Sequence, residues 1–180
     1  MNKDSNRKPE KEEFAEYYGG YIDLVEGGLL EALESQLKES MRIFRAIPES
    51  KADFRYEAGK WSIKEVIGHL IDTERVMAFR ALSFARGDTS EIAGMDQDQY
   101  VSEAAYDQCE FETLLNEFES LRKANLLFFS ALPQEAWSRS GIASGNNVSV
   151  RALAYIIAGH EIHHRNVIEE RYLVSDSAAA

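Results

Sequence analysis

The sequence predicts an all-α protein, a four-helix bundle with long connecting loops. Three observations carry that prediction. Four segments repeat their apolar residues every three or four positions, which lines one side of a helix. Their ends are marked by proline, glycine or a capping residue. No segment alternates convincingly with a period of two, so no strand is expected.

Residues 1–13 are predominantly polar and are expected to form a disordered tail, residues 14–174 a single domain, and residues 175–180 a frayed end. The first helix is expected from about Leu24 to Ala46, with Leu29, Leu30, Leu33, Leu37, Met41 and Phe44 on its buried side and Pro48 as its stop. Gly27 and Gly28 sit near its start, where each costs about 1 kcal/mol inside a helix. The second spans Ile63 to Ala85. Ser62 and Glu65 form a capping box at its start, each side chain satisfying a backbone donor of the first turn. The third runs from Phe111 to Leu132 and ends at Pro133. The fourth follows Ser149, a suitable N-cap, and runs from Val150 to about Leu173. The connections Ile47–Trp61, Arg86–Glu110 and Pro133–Asn147 exceed the 2–8 residues usual in bundles. Loops of that length can cross a bundle and build a pocket, so simple up-and-down connectivity is not forced.

Composition narrows the partners. A chain of 180 residues suits one domain. With 44% hydrophobic and 28% charged residues it has the make-up of a soluble globular protein. No apolar run approaches the roughly 18 residues that span a bilayer, and the first residues lack the apolar stretch of a secretion signal. Cys109 is the single cysteine, which excludes an internal disulfide framework and agrees with a reducing compartment, so a cytoplasmic location is expected. The net charge is −11, and Lys and Arg are interleaved with Glu and Asp. Nucleic acids and anionic membranes, both bound largely through basic surfaces, are therefore not expected as partners.

Three of the four histidines lie in His160-Glu161-Ile162-His163-His164. At about 100° per residue, His160 and His164 are about 40° apart on a helix. Leu153, Ile156, Ile157, Val167 and Ile168 define the apolar stripe of that helix. His164 falls near its centre and His160 about 30° away, whereas His163 lies at the edge, suited to a rim. Two imidazoles one turn apart can approach a single divalent ion. A hydrogen-bonded pair of core histidines is the alternative for this spacing taken alone. His69 flanks the apolar stripe of the second helix beside Thr73, Val76 and Arg80, where it can face a neighbouring helix, and Gly68 permits a close approach.

The stretch Lys60-Trp61-Ser62-Ile63-Lys64-Glu65-Val66-Ile67-Gly68-His69-Leu70-Ile71-Asp72-Thr73-Glu74-Arg75, together with Gly159-His160-Glu161-Ile162-His163-His164, resembles the DinB/YfiT-like superfamily. Tyr21-Ile22-Asp23-Leu24-Val25 and Leu132-Pro133 fit the same layout, so the resemblance spans roughly residues 17–172. It is specific in its combination of features and weak in any single one. It implies a four-helix bundle of non-simple connectivity in which His69, His160 and His164 hold zinc, nickel or a similar divalent metal. It also implies thiol-dependent chemistry, since members with known activities include S-transferases that use bacillithiol or related thiols and a mycothiol-dependent isomerase.

Three neutral imidazoles leave a +2 ion uncompensated, so an open position favours hydroxide or a thiolate. Glu65, one turn before His69, and Asp72, three residues after it, are the candidates for a general base or for orienting the imidazole; the capping role is preferred for Glu65. Glu161 points away from the stripe, to a structural role or to solvent. The segment Met95-Asp96-Gln97-Asp98-Gln99-Tyr100 is expected to cover the site, and Cys109 to be an incidental small residue. The leading expectation is a metal-dependent enzyme activating a low-molecular-weight thiol for S-transfer to a small-molecule electrophile. A metal-dependent hydrolase and a non-enzymatic metal-binding stress protein are the alternatives. A homodimer is a further expectation for such a bundle, without an interface to point to.

Overall fold

A computed structural model describes residues 7–174. Its helices are α1 (Gly19–Asp23), α2 (Leu29–Arg45), α3 (Ile63–Ala85), α4 (Gln97–Glu103), α5 (Phe111–Ser130) and α6 (Val150–Val167), the last continued by a π-helical turn, Ile168–Tyr172. The four long helices α2, α3, α5 and α6 form the bundle. Both α2 and α3 pack against α5 and α6, so the order around the bundle is α2, α5, α3, α6. Thus α2 and α3, and likewise α5 and α6, face each other diagonally across the bundle, and a long connection carries the chain across in each case, whereas α3 and α5 are neighbours. Among the described residues, no helix is long and apolar enough to cross a membrane.

The capping box at α3 forms as expected: the Ser62 hydroxyl accepts from the Glu65 amide, and the Glu65 carboxylate accepts from the Ser62 amide. The first helix starts later than the periodicity predicts. Gly27 has φ of +72°, a conformation that breaks any helix running through it, and α2 begins only after Gly28. The preceding residues form the separate short helix α1.

Two further expectations are corrected. A two-stranded antiparallel hairpin, β1 (Ser140–Ala143) and β2 (Asn146–Ser149), stands where no strand is predicted. Its strands are too short to display a period, and the pairing is set by Ser144 and Gly145, both at positive φ as a tight primed turn requires. The part of residues 1–13 that is described does not behave as a tail. Lys11–Glu13 form a 3-10 turn, and the Glu13 carboxylate accepts from Ser149 Oγ and Arg151 at the start of α6. A polar stretch is ordered here by partners over a hundred residues away, which no local pattern shows. Residues 175–180 lie outside the described residues.

Apolar side chains form two cores rather than one. The first joins α1, the start of α2, the end of α3 and the first half of α6, around Leu29, Leu33, Phe84, Trp137 and Leu153. The second joins the end of α2 with the starts of α3 and α5, around Phe44, Ile67, Leu115 and Phe118. Between them the bundle holds a layer of buried polar residues: Ser40 from α2, His69 and Glu74 from α3, Arg122 and Asn125 from α5, His160 and Glu161 from α6.

Candidate metal centre

The histidines of this layer come from the adjacent helices α3 and α6. Gly159 lets a third element close on them: a Cβ there would lie 1.9 Å from the Tyr21 carbonyl oxygen, so only glycine allows α1 to rest on α6. That contact places the Tyr21 ring edge-on to His160 and His163, with centroids 5.4 Å away in each case. Gly68 serves a similar purpose on α3, but the group it admits is the Tyr106 ring rather than a neighbouring helix.

His69, His160 and His164 converge. Their ring centroids are separated by 4.5 to 4.9 Å, and one nitrogen from each lies within 4.8 Å of the others. His69 and His160 are 2% and 7% exposed, and their Nε2 atoms are 3.0 Å apart. Two nitrogens bound to one tetrahedral ion at about 2.0–2.1 Å lie roughly 3.3 Å apart, so this pair already has nearly the spacing of shared ligands. His69 Nδ1 faces Thr73 Oγ1 at 3.5 Å, leaving Nε2 turned toward the cluster. His164 makes ring contacts but no hydrogen bond among the described residues.

Burial keeps these rings neutral. It pulls His69 down to about 4, and His164 to about 3 with help from His69 and His163. His160 is driven well below the ordinary range by burial and then by its three histidine neighbours. A neutral imidazole is the form that ligates a metal, and three of them with few other partners fit a divalent ion.

The carboxylates expected nearby are engaged elsewhere. Glu65 caps α3 and pairs with Arg55. Asp72 accepts from Tyr106 Oη, which also donates to the Gly68 carbonyl at 3.1 Å. Neither makes a hydrogen bond to an imidazole among the described residues. Thr73, one turn after His69 and already placed beside it by the helical spacing, is instead the polar neighbour of the imidazole. His163 is exposed at the rim, and the Cys109 sulfur faces the Ala105 carbonyl at 3.9 Å, away from the cluster.

Two cavities border the cluster. One, of about 310 Å³, is bordered by His69, His160, Thr73, Arg80, Ser144 and the tyrosines of the α1 region. The other, of about 370 Å³, is bordered by His164, His163, Trp61, Tyr56 and Tyr172. The Trp61 ring centroid stands 4.8 Å from that of His69. The segment expected to cover the site borders both, with Met95 and Gln97 on the first and Asp98 on the second. Much of it is helical rather than loop, because the Asp96 carboxylate caps α4 by accepting from the Asp98 and Gln99 amides.

Comparison with known proteins agrees with this architecture. The model of the DinB superfamily matches residues 32–168. The fold is similar to that of YfiT from Bacillus subtilis, described as a probable metal-dependent hydrolase with an unusual four-helix bundle topology. The TM-score is 0.68 at 18% identity, over 92% of this chain and 91% of that one. It is also similar to a mycothiol-dependent maleylpyruvate isomerase, with a TM-score of 0.64 at 13% identity over 80% of this chain. This chain spans 61% of that isomerase's length. No curated protein sequence matches the chain.

Proposed function

This chain belongs to the DinB superfamily, and on that premise we propose that His69, His160 and His164 hold one divalent metal ion, zinc or nickel, in a metal-dependent enzyme. The reaction proposed is transfer of a low-molecular-weight thiol, such as bacillithiol, to an electrophilic small molecule. A bound ion of this kind supplies Lewis acidity, which makes a thiol or water acidic enough to react near neutral pH.

The observation that carries the reading is the pair of cavities that the histidines border, His69 and His160 on one and His164 on the other. A bimolecular transfer requires two reactants brought from separate sites to one point, and orientation of this kind is a large part of catalysis. The chain's own residues then have definite tasks. Thr73 steadies the His69 ring, and Tyr21 and Trp61 pack against the imidazoles and limit access of water. The likeness to the mycothiol-dependent isomerase adds support for thiol chemistry.

Hydrolysis is the second reading, favoured by the likeness to YfiT. It needs a base beside the reacting water, and Asp72 and Glu65 are both occupied by other partners. The test is a screen of metal-loaded protein with bacillithiol and a fluorogenic electrophile such as monochlorobimane. Thiol-dependent turnover that disappears in His160→Ala is the expected result. Turnover of esters or amides without thiol would select hydrolysis, and full activity after metal removal would overturn both readings.

A further inference from the structure

Arg80 lies on the same side of α3 as His69, Thr73 and Met77, and it is 3% exposed. Its guanidinium reaches back along the helix to Met77, with Nη1 3.6 Å from the sulfur. Nη2 donates to the Ala93 carbonyl and to Ser144 Oγ, each at 3.0 Å. These bonds hold the group at the wall of the cavity that also exposes His69 and His160. Its Nε is buried and, among the described residues, has no hydrogen-bond partner.

Among the described residues, no carboxylate pairs with Arg80. The other two buried arginines are paired, Arg122 with Glu74 and Glu161 and Arg151 with Glu13. The absence is pointed in a chain with 31 acidic residues and a net charge of −11. Arginine cannot shed its proton in a protein, so the charge stays, and a buried unpaired charge is unfavourable. Such an arrangement persists where a ligand provides the missing anion. Met77, Ile156 and the tyrosines of the α1 region give the same cavity apolar walls beside the guanidinium.

We propose that Arg80 receives a carboxylate carried by the substrate, so that the cavity selects small organic acids and presents their far end to the histidines. This rests on the reading of the histidine cluster as the reacting centre. The turn of Met77 is eight residues from His69, about 12 Å along the axis, so a low-molecular-weight acid can reach from one toward the other. Ser144, already fixed on the guanidinium, offers a hydroxyl beside the same anion. Arg80 is thus a specificity-determining residue, distinct from the metal ligands.

The test uses full-length protein, both chelator-treated and zinc-loaded, with benzoate, benzamide and inorganic phosphate as probes, followed by calorimetry or NMR titration. Benzoate should bind both forms at least about tenfold more tightly than benzamide, as expected for a charge-assisted hydrogen bond over a neutral one. Arg80→Gln keeps donors for Ala93 and Ser144 but removes the charge, and it should abolish the preference while zinc binding stays unchanged. Arg80→Lys should restore part of it. Equal binding of benzoate and benzamide by the wild type overturns the proposal without reference to any variant. So does benzoate binding that needs zinc and survives Arg80→Gln, or phosphate binding as tight as benzoate with the same dependence on Arg80. An Arg80-dependent preference in a protein that takes up no zinc would instead sink the proposed function and leave the carboxylate receptor standing.

Discussion

Two polar clusters share the middle of the bundle and are built on opposite terms. Glu161 follows His160 directly in α6, and Glu74 comes five residues after His69 in α3, so the same two helices feed both. In one cluster every charge is answered. Arg122 donates through Nε and Nη2 to the two oxygens of Glu74 at 2.8 Å, and through Nη1 to Glu161. Asn125 completes Glu74 and Ser40 completes Glu161. Burial opposes the charge on Arg122, but the two carboxylates outweigh it and raise its affinity for the proton. In the other cluster three imidazoles face one another with one nitrogen pair in hydrogen-bond range and, among the described residues, no carboxylate on them. Buried polar groups that satisfy themselves lock helices together, whereas groups left facing an incomplete centre call for something from outside.

Arg122→Met should have the largest effect. It strands Glu74 and Glu161 in the bundle and should cost about 3–5 kcal/mol in urea unfolding, since removing one partner of a buried pair leaves an uncompensated charge. A loss below about 1 kcal/mol would mean that the network does not lock the helices together.

Gly159→Ala comes next. The new Cβ meets backbone at the Tyr21 carbonyl, which cannot swing aside as a side chain can. Overpacking of this kind costs about 1–3 kcal/mol. Displacement of α1 should also be visible as increased Tyr21 exposure in fluorescence quenching.

The smallest effect is a pH dependence confined to the histidine cluster. Burial holds His69 at about 4 and His164 at about 3, against about 6.5 in an unfolded chain. Below pH 6.5 the unfolded state takes up protons that the folded state refuses. Stability of the metal-free protein, fully present above that pH, is therefore lost as pH falls toward 4. His160→Leu should reduce the loss between pH 7 and 5 by about 1–2 kcal/mol relative to wild type. An unchanged slope would show that His160 is not held neutral in the folded protein.

How far each cluster was legible in the sequence follows from how it is assembled. His160 and His164 reveal themselves because one helix turn sets their spacing, and the start of α3 because Ser62 and Glu65 lie within one turn. The ion network is different. Glu161 falls off the apolar stripe of α6, which leaves its role open between structural and solvent-facing. In the structure α6 is buried on all sides from Val150 to Glu161, so position relative to a stripe says little about exposure there. The partner, Arg122, lies on another helix, and only the tertiary fold brings them together. Arg80 is intermediate: its helical position beside His69 can be read from spacing, but the lack of a carboxylate around it cannot. The hairpin is hidden for another reason, since four-residue strands carry too few positions to establish a period.

The most direct test of the central claim is a zinc titration of chelator-treated full-length protein by calorimetry, alongside single-alanine variants of all four histidines. One ion should bind per chain. His69→Ala, His160→Ala and His164→Ala should each weaken binding by at least about a hundredfold, because each removes one ligand of a small set, while His163→Ala should change it less than about threefold. Failure of the wild type to bind zinc or nickel, or binding that survives loss of any one of those three ligands, would contradict the account.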